Sequence, residues 1–245
     1  MRLLRIRRLR VRIHTRHPRS SAVGGACIHR SGRCGWAPRR ARKDRTLNGM
    51  DSDLITGEDG AARCGWAGRT PDYTRYHDEE WGHPVHGDAA LFERLVLEGF
   101  QAGLSWITVL RKRPRFRAVF DGFDPRAVAG YTDADVERLL ADAGIIRNRQ
   151  KILAAITNAG LVAEMAPGGF DELLWSFAPA AAPRPRSLRE VPAITPESTA
   201  MSAALRARGF RFVGPTTMYA LMQATGMVDD HLAGCWRAEA SARTS

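Results

Sequence analysis

The chain has 245 residues, of which 44% are hydrophobic, so it is long enough to form one domain with a full apolar core. Its net charge of +11 is typical of a protein with a polyanionic partner, but the charge is unevenly distributed. Residues 1–49 carry 15 Lys and Arg against the single acid Asp44, and the remaining residues carry a net charge of −3. If the body binds nucleic acid, it must therefore use a local patch.

Several classes of protein are excluded by the residue pattern. No apolar run approaches the length of a membrane span, and the N-terminal residues lack the apolar centre of a secretory signal. Four cysteines in a chain of this length do not form a disulfide framework. We therefore expect reduced thiols, a cytoplasmic location and no membrane association.

The arginine-rich beginning of the chain divides it into two parts. Such a segment buries too little apolar surface to offset the entropy of ordering it. It could arise from a start site annotated upstream of Met50, or be a basic nucleic-acid tail or an organelle transit peptide. We favour the first explanation or an unstructured extension. The predicted division is a basic extension over residues 1–60 and a single domain over residues 61–240.

Helical periodicity dominates the predicted domain. Asp88 can cap a helix that carries Leu91, Leu95, Val96 and Phe100 on one side. Further helices are predicted over residues 105 to about 113, from Thr132 to Gly144, and over 148–163, 170–177, 198–208 and 216–225. Alternating strand patterns are scarce. The predicted fold class is all-α.

Two half-sites of zinc-ligand type lie near opposite ends of this domain. Cys64 and His77 have Cys-x12-His spacing, and His231 and Cys235 have His-x3-Cys spacing. The alternative is that the histidines are hydrogen-bonded and the thiols are small buried apolar groups. Because both thiols of the body take part, we favour the metal. Two thiolates and two imidazoles would complete a tetrahedral structural zinc site and leave no position for substrate.

An aromatic cluster and one acid lie close to the first half-site in sequence. Core packing would explain an average pair of aromatic residues, but these side chains also often line sites that hold a flat ring such as a nucleobase. Glu98 follows an apolar helical run, where it could pair with Arg94 one turn earlier or serve as a carboxylate of the site. We favour the site carboxylate. The aromatic residues are Trp66, Tyr73, Tyr76, Trp81 and Trp106.

Two segments could contact a DNA backbone. Glycines bracket a turn between Gly209 and Gly214, and small polar residues open the next helix, so backbone N–H groups could face a phosphate. An ordinary turn between two helices would look similar. The residues that we predict to contact the backbone are Gly209, Arg211, Gly214, Thr216, Thr217 and, in a second cationic segment, Arg147, Arg149 and Lys151.

Together these motifs resemble the bacterial DNA-3-methyladenine glycosylase I family of the helix-hairpin-helix glycosylase superfamily. The resemblance runs from Arg63 to Cys235 and rests on RCGW, YHDEEWG, LEGFQAGLSWITVLRKR, DVERLLADAGIIRNRQKI, LWSF, RGFRFVGPTTMYALMQATG and VDDH…GC. It implies a helix-hairpin-helix fold in which a zinc ion joins the N- and C-terminal segments. It also implies that Glu98 and Tyr76 hydrogen-bond the excised base, while Trp66 and Trp106 line or stack on it. Tyr73 and Trp81 match aromatic positions around that pocket.

The implied activity is release of 3-methyladenine from alkylated double-stranded DNA by a monomeric base-excision repair enzyme. Such an enzyme must flip the nucleotide out of the duplex. We predict hydrolysis without a lyase step because the pocket segment offers no lysine nucleophile. The alternatives are a non-enzymatic, zinc-stabilised DNA-binding module and a hydrolase with a catalytic zinc.

Overall fold

The computed structural model describes residues 53–238. Most of the basic extension, including the charge-rich residues 1–49, lies outside the described residues, and so do residues 239–245. All the described residues belong to one compact unit, Leu47–Ser245. In chain order the elements are β1 (Leu54–Thr56), β2 (Ala62–Cys64), α1 (Pro71–Glu79), α2 (Asp88–Gln101), α3 (Trp106–Val119), α4 (Pro125–Ala129), α5 (Asp133–Ala141), α6 (Arg149–Ala163), α7 (Gly169–Trp175), α8 (Pro196–Ala207) and α9 (Pro215–Ala224).

The helical prediction is confirmed for the described part of the chain. Helix α2 contacts α3, α6, α7 and α9 and contributes the centre of the apolar core. Its Phe100 lies edge-on to Phe116 of α3, with 4.8 Å between the ring centroids. Because α2 is buried on several sides, a polar residue near its C-terminal end faces the interior of the protein and not bulk water.

Helix α3 is longer than the sequence predicts. It continues through Pro114 to Val119, although proline removes one backbone hydrogen bond and normally ends a helix. The last turns carry Phe116 and Val119, which are both buried in the core. Burial of these side chains offsets the local cost of the proline.

Asp88 is not the cap that the sequence predicts. It is the first residue of α2, and Gly87 occupies the capping position. The Asp88 carboxylate instead accepts hydrogen bonds from the backbone N–H groups of Gly168 and Asp171, at 2.8 and 2.9 Å. These amides lie at the start of α7, where unpaired N–H groups attract a carboxylate.

A short antiparallel ribbon precedes the helices. Strand β1 pairs with β2 in the register Leu54↔Cys64, so part of the segment assigned to the extension (residues 53–60) packs with the domain. The C-terminal segment returns to this ribbon, where Leu232 and Cys235 are buried beside Cys64 in a second, smaller apolar cluster. The fold therefore brings the two ends of the predicted domain together. In the part of the chain that is described, no helix has the length and apolar character to cross a membrane.

Candidate active site and metal centre

A cavity of about 360 Å³ opens between α1, the C-terminal end of α2, the start of α3 and α9. This volume lies in the range of pockets that enclose small organic ligands. The cavity brings together all five aromatic residues selected from the sequence and Glu98. Its complete lining is Trp66, Arg69, Tyr73, Tyr76, Trp81, Glu98, Gln101, Trp106, Leu188, Val191, Ala220, Gln223, Ala224 and Asp230.

The aromatic side chains form one continuous wall. Trp66 lies edge-on to Tyr73 and Trp81, with ring centroids 5.7 and 5.1 Å apart. Tyr76 and Trp106 lie 5.4 Å apart at an interplanar angle of 47°. Helix α1 supplies both tyrosines, and the Tyr73 hydroxyl accepts a hydrogen bond from the backbone N–H of Ile107 at 3.1 Å. This bond fixes the start of α3, and with it Trp106, against α1.

Glu98 lies in this cavity with 4% of its surface exposed. Its Oε2 atom is buried and has no hydrogen-bond partner. Burial raises the pKa of Glu98 to about 8, and the charge of Arg94 only partly opposes this. The pairing with Arg94 considered in the sequence is not formed, because Arg94 donates to Glu80 at 3.1 Å. An unsatisfied buried carboxyl oxygen is costly, and buried acids with a raised pKa in a cavity are concentrated at functional sites.

Glu80 binds Arg94 and a second arginine, Arg113. Arg113 binds both Glu80 carboxylate oxygens at 2.6 Å. Burial alone would raise the pKa of Glu80, but the hydrogen bonds and charges of Arg113 and Arg94 lower it to about 2. The two arginines therefore neutralise Glu80, and Glu98 keeps its free oxygen.

A donor complements the acceptor in the cavity. The Trp106 indole Nε1 is buried and has no hydrogen-bond partner. Tyr76 is buried as well, and burial followed by the negative charge of Glu98 raises the pKa of its phenol, so the hydroxyl keeps its proton. The cavity thus offers flat aromatic surfaces, donor groups and a buried acceptor without a partner, as recognition of a heteroaromatic ring requires.

Next to the cavity, three of the four predicted metal ligands converge. The candidate ligand atoms of Cys64, His77 and Cys235 all lie within 4.8 Å of one another, and the three side chains are buried. The fourth predicted ligand, His231, has its ring centroid 4.9 Å from that of His77. Its Nε2 atom is buried without a hydrogen-bond partner. Three of the four predicted ligands therefore form one group, and the His231 ring lies beside it.

The surroundings of these side chains fit a bound zinc ion. Each histidine binds a carboxylate through Nδ1: His77 lies 2.7 Å from Asp78 and His231 lies 2.9 Å from Asp229. This leaves Nε2 of each ring as the available ligand atom, the arrangement found around metal-bound imidazoles. Hydrogen bonds with the Cys64 thiol and His77 lower the pKa of Cys235 to about 3, although burial acts to raise it, and the lowered pKa favours the Cys235 thiolate. The same pairing, together with burial, raises the pKa of Cys64.

The cavity and the candidate metal centre share a wall. The Trp66 ring lies 5.3 Å from that of His77, and the Trp81 ring lies 4.7 Å from that of His231. Gly82 permits this packing, because a Cβ atom there would lie 2.7 Å from the His231 ring. Its backbone also has a positive φ of 78°, which favours glycine. Zinc bound to these histidines would therefore support two tryptophans of the cavity.

The predicted backbone-binding segment joins α8 to α9. Asn158 of α6 fixes its centre, donating to the Arg211 carbonyl at 3.0 Å and accepting from the Arg211 N–H at 2.8 Å. Gly214 caps α9, so Thr216 and Thr217 lie in the first turn, where backbone N–H groups lack helical partners. A Cβ atom on Gly214 would lie 3.5 Å from the guanidinium of Arg206, a cation that the sequence analysis did not select.

The second cationic segment is placed differently from the prediction. Arg147 and Arg149 are exposed, and Arg149 pairs with Glu137. Lys151 is 8% exposed, and its ammonium donates to the carbonyls of Phe100 and Ala102 at 2.8 and 2.6 Å. This geometry gives Lys151 a role at the C-terminal end of α2, so we remove it from the backbone-contact set.

The sequence analysis also missed one wall of the cavity. Asp230 accepts from the Tyr219 hydroxyl at 2.6 Å and from Gln223 Nε2 at 2.8 Å. Gln223 and Asp230 both line the cavity, although they lie far along the chain from the aromatic residues. The Asp229-Asp230-His231 run was visible in the sequence, but only the histidine had metal-ligand spacing.

Comparisons with solved structures define the class of protein. A crystal structure of 3-methyladenine DNA glycosylase I matches with a TM-score of 0.68 and 47% identity, covering 71% of this chain and 98% of that one. The Staphylococcus aureus enzyme, described for its recognition of 3-methyladenine, matches with a TM-score of 0.66 and 34% identity over 70% and 93% of the two chains. The fold is thus that of a DNA glycosylase.

The family follows from the sequence comparisons. DNA-3-methyladenine glycosylase 1 of Escherichia coli is 50% identical over 177 residues, covering 71% of this chain and 95% of that enzyme. A family model described as methyladenine glycosylase matches residues 66–238. The chain belongs to the methyladenine glycosylase family, and the resemblance read from the sequence is confirmed.

Proposed function

We propose that this protein is a base-excision repair glycosylase that flips 3-methyladenine out of alkylated double-stranded DNA and releases it by hydrolysis. The observation that carries the proposal is the aromatic cavity with two buried unpartnered polar atoms, Glu98 Oε2 and Trp106 Nε1. Membership of the family, together with relatives named for this activity, supports the same substrate.

The chemistry requires little activation of the leaving group. Methylation at N3 makes the purine cationic, so the glycosidic bond breaks with both electrons passing to the base, which leaves neutral. The sugar then carries positive charge until water adds at C1′ and loses a proton. Extrusion from the duplex costs a few kcal/mol. Stacking on the tryptophans can offset part of this cost.

Glu98 would recognise the base through its free oxygen. In the empty cavity at neutral pH most Glu98 is protonated, since its pKa is about 8. A cationic purine would lower that pKa by Coulombic attraction and favour the carboxylate. The carboxylate would accept from the purine amino group, while Tyr76 and Trp106 donate to ring nitrogens. Recognition of the alkylated base is thus coupled to loss of one proton.

We further propose that Cys64, His77, His231 and Cys235 hold one structural zinc ion that joins the two ends of the domain. When bound, zinc would supply four bonds that fix the histidines and, through them, Trp66 and Trp81.

The segment 208–217 would be the hairpin of a helix-hairpin-helix motif, with the first turn of α9 facing a DNA phosphate. Arg211 and the neighbouring Arg206 would add positive charge, and Arg147 and Arg149 lie on exposed surface.

We also propose that the enzyme is a monofunctional, monomeric, cytoplasmic protein. Lys112 donates to the Ala143 carbonyl at 2.7 Å, and Lys151 is occupied as described above. Among the described residues, therefore, no lysine lines the cavity to form a covalent bond with C1′.

Incubation with N-methylated duplex DNA tests the proposal. We expect free 3-methyladenine in the soluble fraction and an abasic strand that stays intact until alkali is added. Binding without base release would favour the alternative, a zinc-stabilised DNA-binding module. Strand cleavage without alkali would contradict the monofunctional mechanism.

A further inference from the structure

Both histidines of the metal centre belong to equivalent three-residue chains. His77 contacts Asp78, whose second carboxylate oxygen accepts from Arg63 Nη2 at 2.7 Å. His231 contacts Asp229, whose second oxygen accepts from Arg184 Nη2 at 2.6 Å. In each chain the guanidinium fixes the carboxylate that orients the imidazole.

The two arginines belong to different parts of the molecule. Arg63 lies on β2, and its guanidinium also binds Asp59 in the turn of the ribbon at 2.8 and 2.6 Å. The series of contacts that starts at His77 therefore ends within the ribbon. Arg184 begins a segment, residues 184–191, that crosses to the cavity and lines it with Leu188 and Val191. We call this segment the pocket strap.

A second contact ties the same end of the pocket strap to the metal-binding segment. The backbone N–H of Ala233, between His231 and Cys235, donates to the Pro185 carbonyl at 2.8 Å. Farther along, the Leu188 N–H donates to Asp53 at 3.1 Å, and the Arg186 N–H donates to Glu190 at 2.7 Å. Among the described contacts, the ion pair of Arg184 with Asp229 joins the pocket strap to the carboxylate that binds His231.

We propose that Arg184 is a positioning residue that couples the metal ligand His231 to the pocket strap, so that the metal centre also holds the apolar wall formed by Leu188 and Val191. The inference rests on the proposed zinc site and on the proposed base pocket. The aromatic wall is supported by the histidine rings directly, and the opposite wall is supported through Asp229 and Arg184. One bound ion would thus fix both sides of the cavity.

The test compares Arg184→Met with Arg63→Met in the purified zinc-containing protein. For each we would measure the rate of zinc transfer to a chromophoric chelator, amide hydrogen exchange over residues 184–191, and the affinity for free 3-methyladenine by tryptophan fluorescence. We expect both variants to lose zinc faster. Arg184→Met alone should speed exchange in the pocket strap and weaken base binding about tenfold, the value of one charge-assisted hydrogen bond. Arg184→Lys should partly restore all three.

One further control keeps the outcome decisive. If Arg63→Met does not fold, Arg186→Met changes an exposed arginine of the same strap and should match wild type in all three measurements. Unchanged strap exchange in Arg184→Met, or zinc-free purified protein, would overturn the inference. If wild-type protein neither binds nor releases 3-methyladenine, the proposed function fails, while zinc transfer and strap exchange still decide whether Arg184 couples the two regions.

Discussion

Glu98 lines the cavity, whereas Glu80 is not part of its lining, and the fold places these two acids in opposite environments. Glu80 is paired with Arg94 and Arg113, which lower its pKa, whereas Glu98 lies among apolar and aromatic side chains, where burial raises its pKa. Separation of two carboxyl groups in this way is typical of active sites, because each group then has a distinct protonation state at neutral pH.

The pH dependence of base release should report Glu98. If the carboxylate form binds the cationic base, kcat/KM on methylated DNA should rise with pH and level off near pH 8. In Glu98→Gln this limb should vanish and the remaining activity should be flat over the same range. Single-turnover release at pH 5.5 to 9 measures this. A wild-type profile that falls from pH 6 to 8 would contradict the assignment.

The same pKa makes a prediction about stability. The folded protein retains the Glu98 proton up to about pH 8, whereas the unfolded chain loses it near the ordinary glutamate pKa of 4.5. Between these values the folded state binds more protons, so this group's contribution to the free energy of unfolding falls as pH rises. Thermal melts should therefore show Glu98→Gln gaining stability relative to wild type from pH 5 to 8.5. A Tm difference independent of pH would contradict the raised pKa.

Among the elements, helix boundaries with local signals were predictable. Thr132 and Asn148 begin α5 and α6 as the sequence indicates. Boundaries set by distant contacts were not: Asp88 binds the start of α7, eighty residues away, and α3 passes Pro114 because the residues beyond it are buried. The three-residue strand β1 carries too few residues for a strand pattern to be recognised in the sequence, and it lies within the predicted extension.

Some residues of the candidate site could likewise be predicted from the sequence, and others could not. The grouping of the aromatic residues with Glu98, and of Cys64, His77 and Cys235, was predictable, because rare residue types at unusual spacings carry chemical information. Gln223, Asp230 and the pocket strap were not, since ordinary residues acquire their position only from tertiary packing. For Lys151 the sequence was misleading: it lies beside other cations in the sequence, but in the fold its buried ammonium binds carbonyl groups at the C-terminal end of α2.

Arg211, in the turn before α9, and Lys151, on α6, should behave differently. Arg211→Ala should reduce the slope of log affinity against log salt by about 1, as expected for one lost phosphate contact. Lys151→Met should leave that slope unchanged but lower the free energy of unfolding by about 2 kcal/mol, because two hydrogen bonds from a charged group are lost. Fluorescence anisotropy with duplex DNA and thermal melts separate the two. Equal salt slopes for both variants would contradict the assignment.

At the scale of the whole molecule, the metal centre is expected to stabilise the fold and not to perform chemistry. One zinc ion should copurify with each chain, and a strong chelator should lower the Tm and the activity together. Cys64→Ser should lose the metal. Cys34→Ser is the matched control, because Cys34 stands in a second Arg-Cys-Gly-Trp-Ala copy without a histidine thirteen residues later, and it should retain zinc. Chelation that abolishes turnover at an unchanged Tm would instead indicate a catalytic metal.

Single-turnover release of 3-methyladenine by wild type, Glu98→Gln and the exposed-site control Glu164→Gln tests the central claim most directly. The claim is that the aromatic cavity containing Glu98 receives and releases the alkylated base. We predict that wild type and Glu164→Gln release the base at equal rates, and that Glu98→Gln is slower by about 100-fold or more at an unchanged fold, the range for loss of a directed catalytic group. Equal release by all three proteins would contradict the account.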